Sequence, residues 1–600
     1  MKIKHLILIA LVLISSQLSF AQDNLLYKYI QPGSRMVMRF NLIKIASKVP
    51  GETFRASSLY QDMMKNDNGE IKNFLSDPSG TGIDFSTDFI LTVITGEDGE
   101  STSPLLIARL GDSGKFTALM EKMNKGEVSR IQVFGSNRLL LPKSFGPAIA
   151  WNDEVMIVTG ISNGKKELNA VFIDTSDTRD MDVRMNEVAE RLNNELKEKC
   201  FAALTPNTNN TLVNSPVFSK LMNESGDIRI WNSGVKPATT KEIQQLPPFV
   251  TRFLSTLQAA QGTESTSIVN FENGKIAGAI RNYISPEMGS IYQKYPQEPL
   301  PTQLVSRLPQ GKILMLMMSA FNKDMSGEIS KQNGMAGFID SLKQYLKVDL
   351  SLFQKGFQNK AMMAIMEMPA KEDDNGEKKK ILENLGLFIV IPVADKAAVA
   401  QLKALADRKM DSLAATEKGE KIMSVFRPAI MYNDSLCVIA HSAAMAEAYL
   451  NHSGNAPLPA WLPSNQKGNM WMSLGFRDIM TMVFSMAGKP GKSKNNQTME
   501  MLEMFDQLVI TGGDYAEGSM NSQMEFRFSN PDKNVLEQLF EMANRASMQK
   551  AKAKKEMADT PEIMQDDVVT DAPKEAPPAP KKAPVKKPVS KSKTPAKTKG

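Results

Sequence analysis

The 600-residue chain is poor in the residues that carry most protein chemistry. It holds two cysteines, Cys200 and Cys437, and three histidines, His5, His441 and His452. Two cysteines in this length cannot staple a disulfide scaffold. They could pair in an oxidising compartment, but Cys437 sits in the apolar run Ser435-Leu-Cys-Val-Ile-Ala440, where a small buried core residue is the expectation. No HExxH, HxH or CxxC pattern surrounds His441 or His452, so a histidine zinc site or a Ser-His-Asp triad lacks its parts. No catalytic residue, metal ligand or cofactor is expected. Long apolar runs are missing too: beyond the N-terminus nothing approaches the ~18 residues that cross a bilayer as a helix.

What is present at the N-terminus is an address. Lys2 and Lys4 precede the apolar run Leu6 to Ile14, and the small residues Ser19 and Ala21 offer a cleavage site before Gln22, the pattern of a secretory signal peptide. No cysteine stands at or just after that site, so a lipid-anchored N-terminus is not expected. The anticipated location is extracytoplasmic, in the periplasm or associated with the envelope, with no transmembrane segment in the mature chain.

The body of the chain repeats itself. Phe145-Gly-Pro147-Ala-Ile149-Ala-Trp151-Asn152-Asp153 returns as Phe426-Arg-Pro428-Ala-Ile430-Met-Tyr432-Asn433-Asp434. Asn and Asp between two apolar runs mark a hairpin turn. Other elements match in order. Met36 to Phe40 pairs with Ile313 to Met317, Phe89 to Ile94 with Ala361 to Met366, and Leu105 to Ala108 with Leu387 to Val390. The helices that follow place Phe116, Leu119 and Met123, or Val399, Leu402 and Leu405, on one expected buried face. Tryptophan strands recur at Trp231 and Trp471, and each copy closes with a strand pair. The first copy has an extra helix with Val188, Leu192, Leu196 and Cys200 on one face. The expected fold class is α+β: two tandem copies of a mixed, mostly antiparallel sheet domain with covering helices, plus a disordered C-terminal tail. The expected boundaries are a signal peptide at 1–21, a first repeat at 22–285, a linker at 286–303, a second repeat with a terminal helix at 304–558, and a Lys/Pro/Ala-rich tail at 559–600.

Charge is concentrated in that tail. Residues 574–600 carry nine lysines and one acidic residue, a local +8, so the formal net charge of +6 leaves about −2 for the rest. Such a stretch has too little apolar surface to offset the entropy of ordering, and its last 27 residues could reach on the order of 80 Å when extended. Lys581, Lys582, Lys586, Lys587, Lys591, Lys593, Lys597 and Lys599 are candidate polyanion-binding residues, acting by charge neutralisation and counterion release. The tail has no interleaved aromatics or arginines for base contact, so nucleic acid is not the expected partner. An anionic envelope polymer or lipid is, and a solubilising appendage is the plainer alternative.

Other motifs resolve into structure. Gly491-Lys492-Ser493 ends like a phosphate loop, but Met486 stands where the first glycine must be. The 39 methionines, clustered at Met315, Met317, Met318, Met362, Met363, Met366 and Met368, could serve soft Cu(I), yet within apolar strands they read as core packing. Asp84 and Asp349 recur, as do Asp153 and Asp434; repetition in both copies points to turns rather than to one carboxylate pair. Trp151 and Tyr432 could stack on a sugar or peptide, with core packing as the leading expectation.

The paired strand starts, Pro78-Ser-Gly-Thr-Gly-Ile-Asp84 and the repeated F-x-P-A-I-x-aromatic-N-D hairpins resemble an uncharacterised envelope-protein family common in the Bacteroidetes, domain of unknown function 4836. The likeness spans most of residues 24–545 and excludes the tail. It implies an extracytoplasmic location and no established activity or site residues. Family members often look like lipoproteins, and this chain departs from them in lacking the lipobox cysteine. The leading expectation is therefore a secreted, non-enzymatic envelope binding or scaffolding protein with a polycationic tether. A carboxylate-based glycan or peptide hydrolase and a periplasmic chaperone-like protein are the alternatives, and the protein partner is unknown.

Overall fold

The structure is a computed structural model. It describes residues 26–57, 60–61, 78–95, 102–123, 131–142, 146–160, 171, 179–207, 211–233, 264–295, 297–320, 322, 324–325, 328, 351–368, 385–416, 428–452, 458–459, 461–462, 468–486 and 503–559. The expected signal peptide, Asp349, Gly491 to Ser493 and the tail lysines lie outside the described residues.

The first copy runs β1 (Ser34–Phe40), β2 (Phe89–Thr95), β3 (Thr102–Arg109), α1 (Ser113–Met123), β4 (Ile131–Phe134), β5 (Asn137–Leu140), β6 (Ala148–Trp151), β7 (Val155–Thr159), α2 (Met181–Leu204), α3 (Pro216–Asn223), β8 (Ile228–Ser233), β9 (Glu264–Glu272) and β10 (Lys275–Tyr283). Then α4 (Pro286–Lys294) precedes the second copy: β11 (Lys312–Ala320), β12 (Lys360–Glu367), β13 (Leu385–Pro392), α5 (Lys396–Ala414), β14 (Ala429–Tyr432), β15 (Leu436–Ala440), α6 (Ala443–Asn451), β16 (Met470–Gly475), α7 (Phe476–Met486), β17 (Phe505–Ala516), β18 (Ser519–Phe528) and α8 (Val535–Asp559). The fold is α+β, and strands of both copies join one 18-stranded sheet. Every strand pairing among the described residues is antiparallel, so the expected mixture of directions is absent there. Hairpins join β9 to β10, β14 to β15 and β17 to β18, whereas β8 and β16 reach β1 and β11 only after the longer excursions that carry α2 with α3 and α6.

The two copies use one strand order. In the first, β6, β7, β3, β2, β1, β8, β9 and β10 lie side by side, with β5 and β4 added beyond β6. In the second, β14, β15, β13, β12, β11, β16, β17 and β18 follow the same path. The copies meet through their last strands, β10 against β18. Counted from the hairpin glycines Gly274 and Gly518, Ala279 and Gln523 hold the same place, and they are paired with each other. Equivalent edges therefore meet about a local two-fold, the geometry of a symmetric dimer edge contained within one chain.

Each copy has its own core on one face of the sheet. In the first, Val37, Ile107, Ile157 and Trp231 pack beneath Leu196 and Cys200 of α2, Phe218 of α3 and Tyr29. In the second, Met318, Met362, Phe388 and Trp471 pack beneath Tyr449 of α6 and Leu304. Full burial of each large side chain contributes about 1.5–3 kcal/mol. Val188 of α2 is only half-buried. Met123 of α1 is exposed although its spacing suggested burial, because Phe116 and Met120 fill the contact. Span 286–303 is itself structured: Met288 and Ile291 of α4 pack against Met325. Residues up to Met548 form one compact unit, and 549–600 a second. No helix among the described residues is long and apolar enough to cross a membrane.

Candidate functional site

A β-strand sends alternate side chains to opposite faces. An antiparallel sheet with one face in water should alternate apolar and polar residues. Several strands here do not: Ile313-Leu-Met-Leu-Met-Met318 and Leu385-Gly-Leu-Phe-Ile-Val-Ile391 are apolar on both faces. One face of these strands forms the two cores. The other bears a second apolar surface, and its register can be followed strand by strand.

In the first copy Phe89 lies opposite Phe40, Phe40 opposite Ile228, Ile228 opposite Val269, and Val269 opposite Gly278. The row crosses the seam from Gly278 to Met524, then continues to Ile510 and Met472. From Met472 it passes to Met317, Met363, Ile389, Ile439 and Ile430. Thirteen strands contribute one residue each, none of them polar. At about 4.8 Å per strand the row spans roughly 58 Å. Phe89 is buried and the other twelve are half-buried. From Ile228 to Ile439 these side chains belong to none of the buried clusters. A flanking row, Ile276, Phe526, Leu508, Leu474, Met315, Ile365 and Leu387, runs beside it.

Helices stand on this face at its margins. At one end Phe116 of α1 meets Trp151 edge-on, with ring centroids 5.4 Å apart. At the other, Val399 of α5 packs on Cys437, Ile430 and Tyr432. Along the side, Val535 and Leu539 of α8 cover Phe271, Ile276 and Phe526, and Phe476 of α7 meets Phe526.

The opposite face of the seam is charged. Lys275 Nζ donates to Glu525 at 2.7 Å, Arg527 Nη2 donates to the same carboxylate at 2.7 Å, and Arg281 holds Glu224 at 2.7 and 2.8 Å. Burial pushes the Glu525 carboxyl up, but the hydrogen bonds from Lys275 and Arg527 outweigh it, and the group lies below its usual range. Lys220 of the first copy pairs with Glu517 of the second, holding that carboxyl low as well. Glu525 and Glu517 are thus paired anions rather than proton donors. The pleat sorts the seam into a wet charged side and an uncharged apolar side.

Other sequence candidates take structural places. Trp151 is fully buried, and its indole donates to Thr117 Oγ1 at 3.0 Å. Tyr432 is half-buried against α5. Asn152 and Asn433 close their turns by accepting two backbone N–H groups each, at 2.8–2.9 Å. Asp153 accepts from Ser113 Oγ at 3.0 Å and Asp434 from Lys396 Nζ at 2.6 Å, so each reaches the first residue of its copy's helix. Cys200 and Cys437 are buried, unbridged thiols in separate clusters. Burial pushes them up to about 12 and about 11. His441 follows β15 and His452 caps α6. Among the described residues no three His, Cys, Asp or Glu groups are placed to hold a metal.

One expected equivalence fails. Gly82 accepts from the N–H groups of Gly111 and Asp112, and Gly356 accepts likewise from Ala394 and Asp395. Ile83 bridges Leu110 as Phe357 bridges Val393. The place of Asp84 in the second copy is therefore taken by Gln358, not by Asp349. The methionines also divide by strand parity. Met318, Met362 and Met366 are core, as expected, whereas Met315, Met317 and Met363 are half-buried on the opposite, apolar face.

A cavity of about 360 Å³ lies at the rim of the second copy, lined by Trp461, Lys312, Arg477, Asp478, Asp506 and Gln507 among others. Its charges are matched: Lys312 sits 2.7 Å from Asp478 and Arg477 3.7 Å from Asp506.

No family model matches the chain, and no curated protein does. Two solved structures, crystal forms III and IV of TP0453, align over 45% of this chain and over 87% and 85% of theirs. Identity is 9% and the TM-score 0.19 in both, a likeness that carries no argument about fold or activity.

Sequence reasoning located the strands of the second apolar face but missed the face itself. The signal was there, in strands without polar alternation. It was read as core because register across strands distant in sequence is not visible in one dimension.

Proposed function

We propose that the chain is an exported, non-enzymatic envelope binding protein. Its second apolar sheet face is the binding surface and its lysine-rich tail is an electrostatic tether to an anionic surface. The observation that carries this reading is the uncharged row from Phe40 to Ile430, half-buried and, among the described residues, outside the cores over most of its length. Apolar side chains aligned over this extent, and not closed into a core among the described residues, favour an interaction site. The paired seam carboxylates and the exposed turn aspartates supply no converging acid and base, which favours binding over hydrolysis. The signal peptide, the resemblance to the Bacteroidetes envelope family and the +8 tail support the location and the tether. A chaperone-like role is the second reading, favoured by the same apolar face.

The test is salt-dependent cosedimentation with isolated envelope fractions, comparing the mature chain with one ending at Pro573. Binding lost on truncation and in high salt is expected if the tail tethers, because each neutralised anion releases counterions. Equal binding by both chains at all salt concentrations would reduce the tail to a solubilising appendage.

A further inference from the structure

We infer that the cavity at the rim of the second copy is a binding site for a neutral saccharide of one or two hexose units. The cavity shares no residue with the apolar row, and the inference stands without the reading proposed above.

Three neighbouring strands and one preceding segment bring the lining together. Lys312 opens β11, and Gly475 closes β16 opposite Gln507 of β17. The chain passes from Gly475 straight into α7, whose first turn carries Arg477 and Asp478. Phe476 fixes that turn, meeting Phe505 and Phe526 edge-on with ring centroids 5.6 Å apart in each case. A Cβ at Gly475 would stand 3.3 Å from Asp478 Oδ2, so glycine leaves the carboxylate unobstructed. From the segment before β16, Trp461 stacks on the buried Trp471, with centroids 5.7 Å apart and planes 8° from parallel.

Size and charge define the ligand class. A volume of about 360 Å³ suits a small molecule rather than a folded partner. Solvent reaches the site, because the side chains of Lys312, Asp506 and Arg477 are 54%, 50% and 41% exposed. Its charged lining is two cations, Lys312 and Arg477, and two carboxylates, Asp478 and Asp506. An anion entering here would meet both carboxylates, and a cation would meet Lys312 and Arg477. A hydroxyl both donates and accepts, so it gains from each sign. Arg477 Nη2 lies 3.7 Å from Asp506 Oδ1, and Arg477 Nε 3.9 Å from Asp478 Oδ1, both beyond hydrogen-bond reach. Among the described residues, neither the Arg477 guanidinium nor the Asp506 carboxylate makes a hydrogen bond. A hydroxyl set between them would bond to both. The Gln507 amide is already oriented, donating to Ser473 Oγ at 2.5 Å and accepting from Arg527 Nη1 at 3.3 Å.

Trp461 supplies the apolar half. Its stacking on Trp471 preorganises the ring, and the surface that Trp471 leaves free lines the cavity. A pyranose presents C–H groups on one face and hydroxyls around its rim. It therefore stacks on the indole while the rim reaches Arg477, Asp506 and Gln507.

The test uses the full mature chain with maltose, cellobiose, lactose and N,N′-diacetylchitobiose, read by saturation-transfer NMR and calorimetry. At least one should bind at millimolar concentration or tighter, with the strongest transfer to C–H protons of one ring face. Arg477→Ala and Asp506→Ala should each weaken it at least ten-fold, the effect of losing one hydrogen bond to a charged group. Both side chains are exposed enough for the fold to survive their removal. Trp461→Ala should abolish binding, whereas Glu447→Gln, at an exposed carboxylate on α6, should leave it unchanged. Binding of none of the four sugars overturns the inference, as does binding that survives both Arg477→Ala and Asp506→Ala. Digalacturonate binding more tightly than every neutral disaccharide also overturns it, because the site would then select an anion.

Discussion

Single residues show how one fold is written twice with different chemistry. Gly82 and Gly356 do the same work, accepting two backbone N–H groups at the start of a helix. Gly82 does so at φ +77, and a Cβ there would lie 2.2 Å from the Asp112 carbonyl oxygen. Gly356 has no such backbone, and its Cβ would meet Val399 Cγ2 at 3.1 Å. Gly82→Ala is expected to cost about 2–3 kcal/mol and Gly356→Ala distinctly less, measured as urea midpoints. The buried thiols give a pH signature. Folding raises Cys200 from 9.0 to about 12 and Cys437 to about 11. Unfolded thiols therefore lose protons first as pH rises, and the thiol contribution to stability, complete below about pH 9, is lost through pH 11–12. Urea midpoints between pH 8 and 11 should fall, and the fall should shrink in Cys200→Ala and Cys437→Ala. Ellman titration should find two reactive thiols only after unfolding.

At the scale of elements the seam decides the architecture. The pairing of β10 with β18 continues one ladder between the copies. Side-chain ties reinforce it, including Lys275 to Glu525 and the Asn534 amide to the Phe271 carbonyl oxygen at 3.1 Å. Gly274 completes the join: its N–H donates to Lys533 O at 2.9 Å, and at φ +67 it sits where a Cβ would strike Pro531. Gly278→Pro would remove a ladder donor to β18 one residue from the two-fold, leaving a carbonyl oxygen across the seam without its partner at a cost of about 1–3 kcal/mol. The variant is expected to separate the melting of the two copies, whereas Gly278→Ala should melt as the parent does.

The whole molecule up to Met548 is one compact unit despite being two copies. Trp151 and Trp231 report on the first copy, Trp461 and Trp471 on the second. Because the cores share a continuous sheet, Trp→Phe variants that leave only one pair should unfold at the same temperature as judged by fluorescence. Two resolved transitions in the parent chain would contradict the shared-ladder account. The same continuity makes the apolar row a property of the assembled molecule, since neither copy alone spans it.

The sequence by itself determined the duplication, the strand and helix order, the terminal helix ending near Asp559, the turn asparagines and the tryptophan strands. These are local signals, set by side-chain period and by turn residues, and they survive being read in one dimension. Met317 and Met318 show where that reading stops. Both sit in one apolar run, and only strand parity, fixed by pairing with Met363 and Met362, sends one to the second apolar face and the other to the core. Asp84 and Asp349 looked equivalent by spacing, and backbone hydrogen bonds put Gln358 in that place instead. Only the tertiary structure decided that equivalent strands meet at a local two-fold, that thirteen strands align one apolar row, and that charge gathers on the far side of the seam. Each depends on contacts between residues tens to hundreds of positions apart, whose register is chosen by the free energy of the folded sheet rather than by any neighbour along the chain.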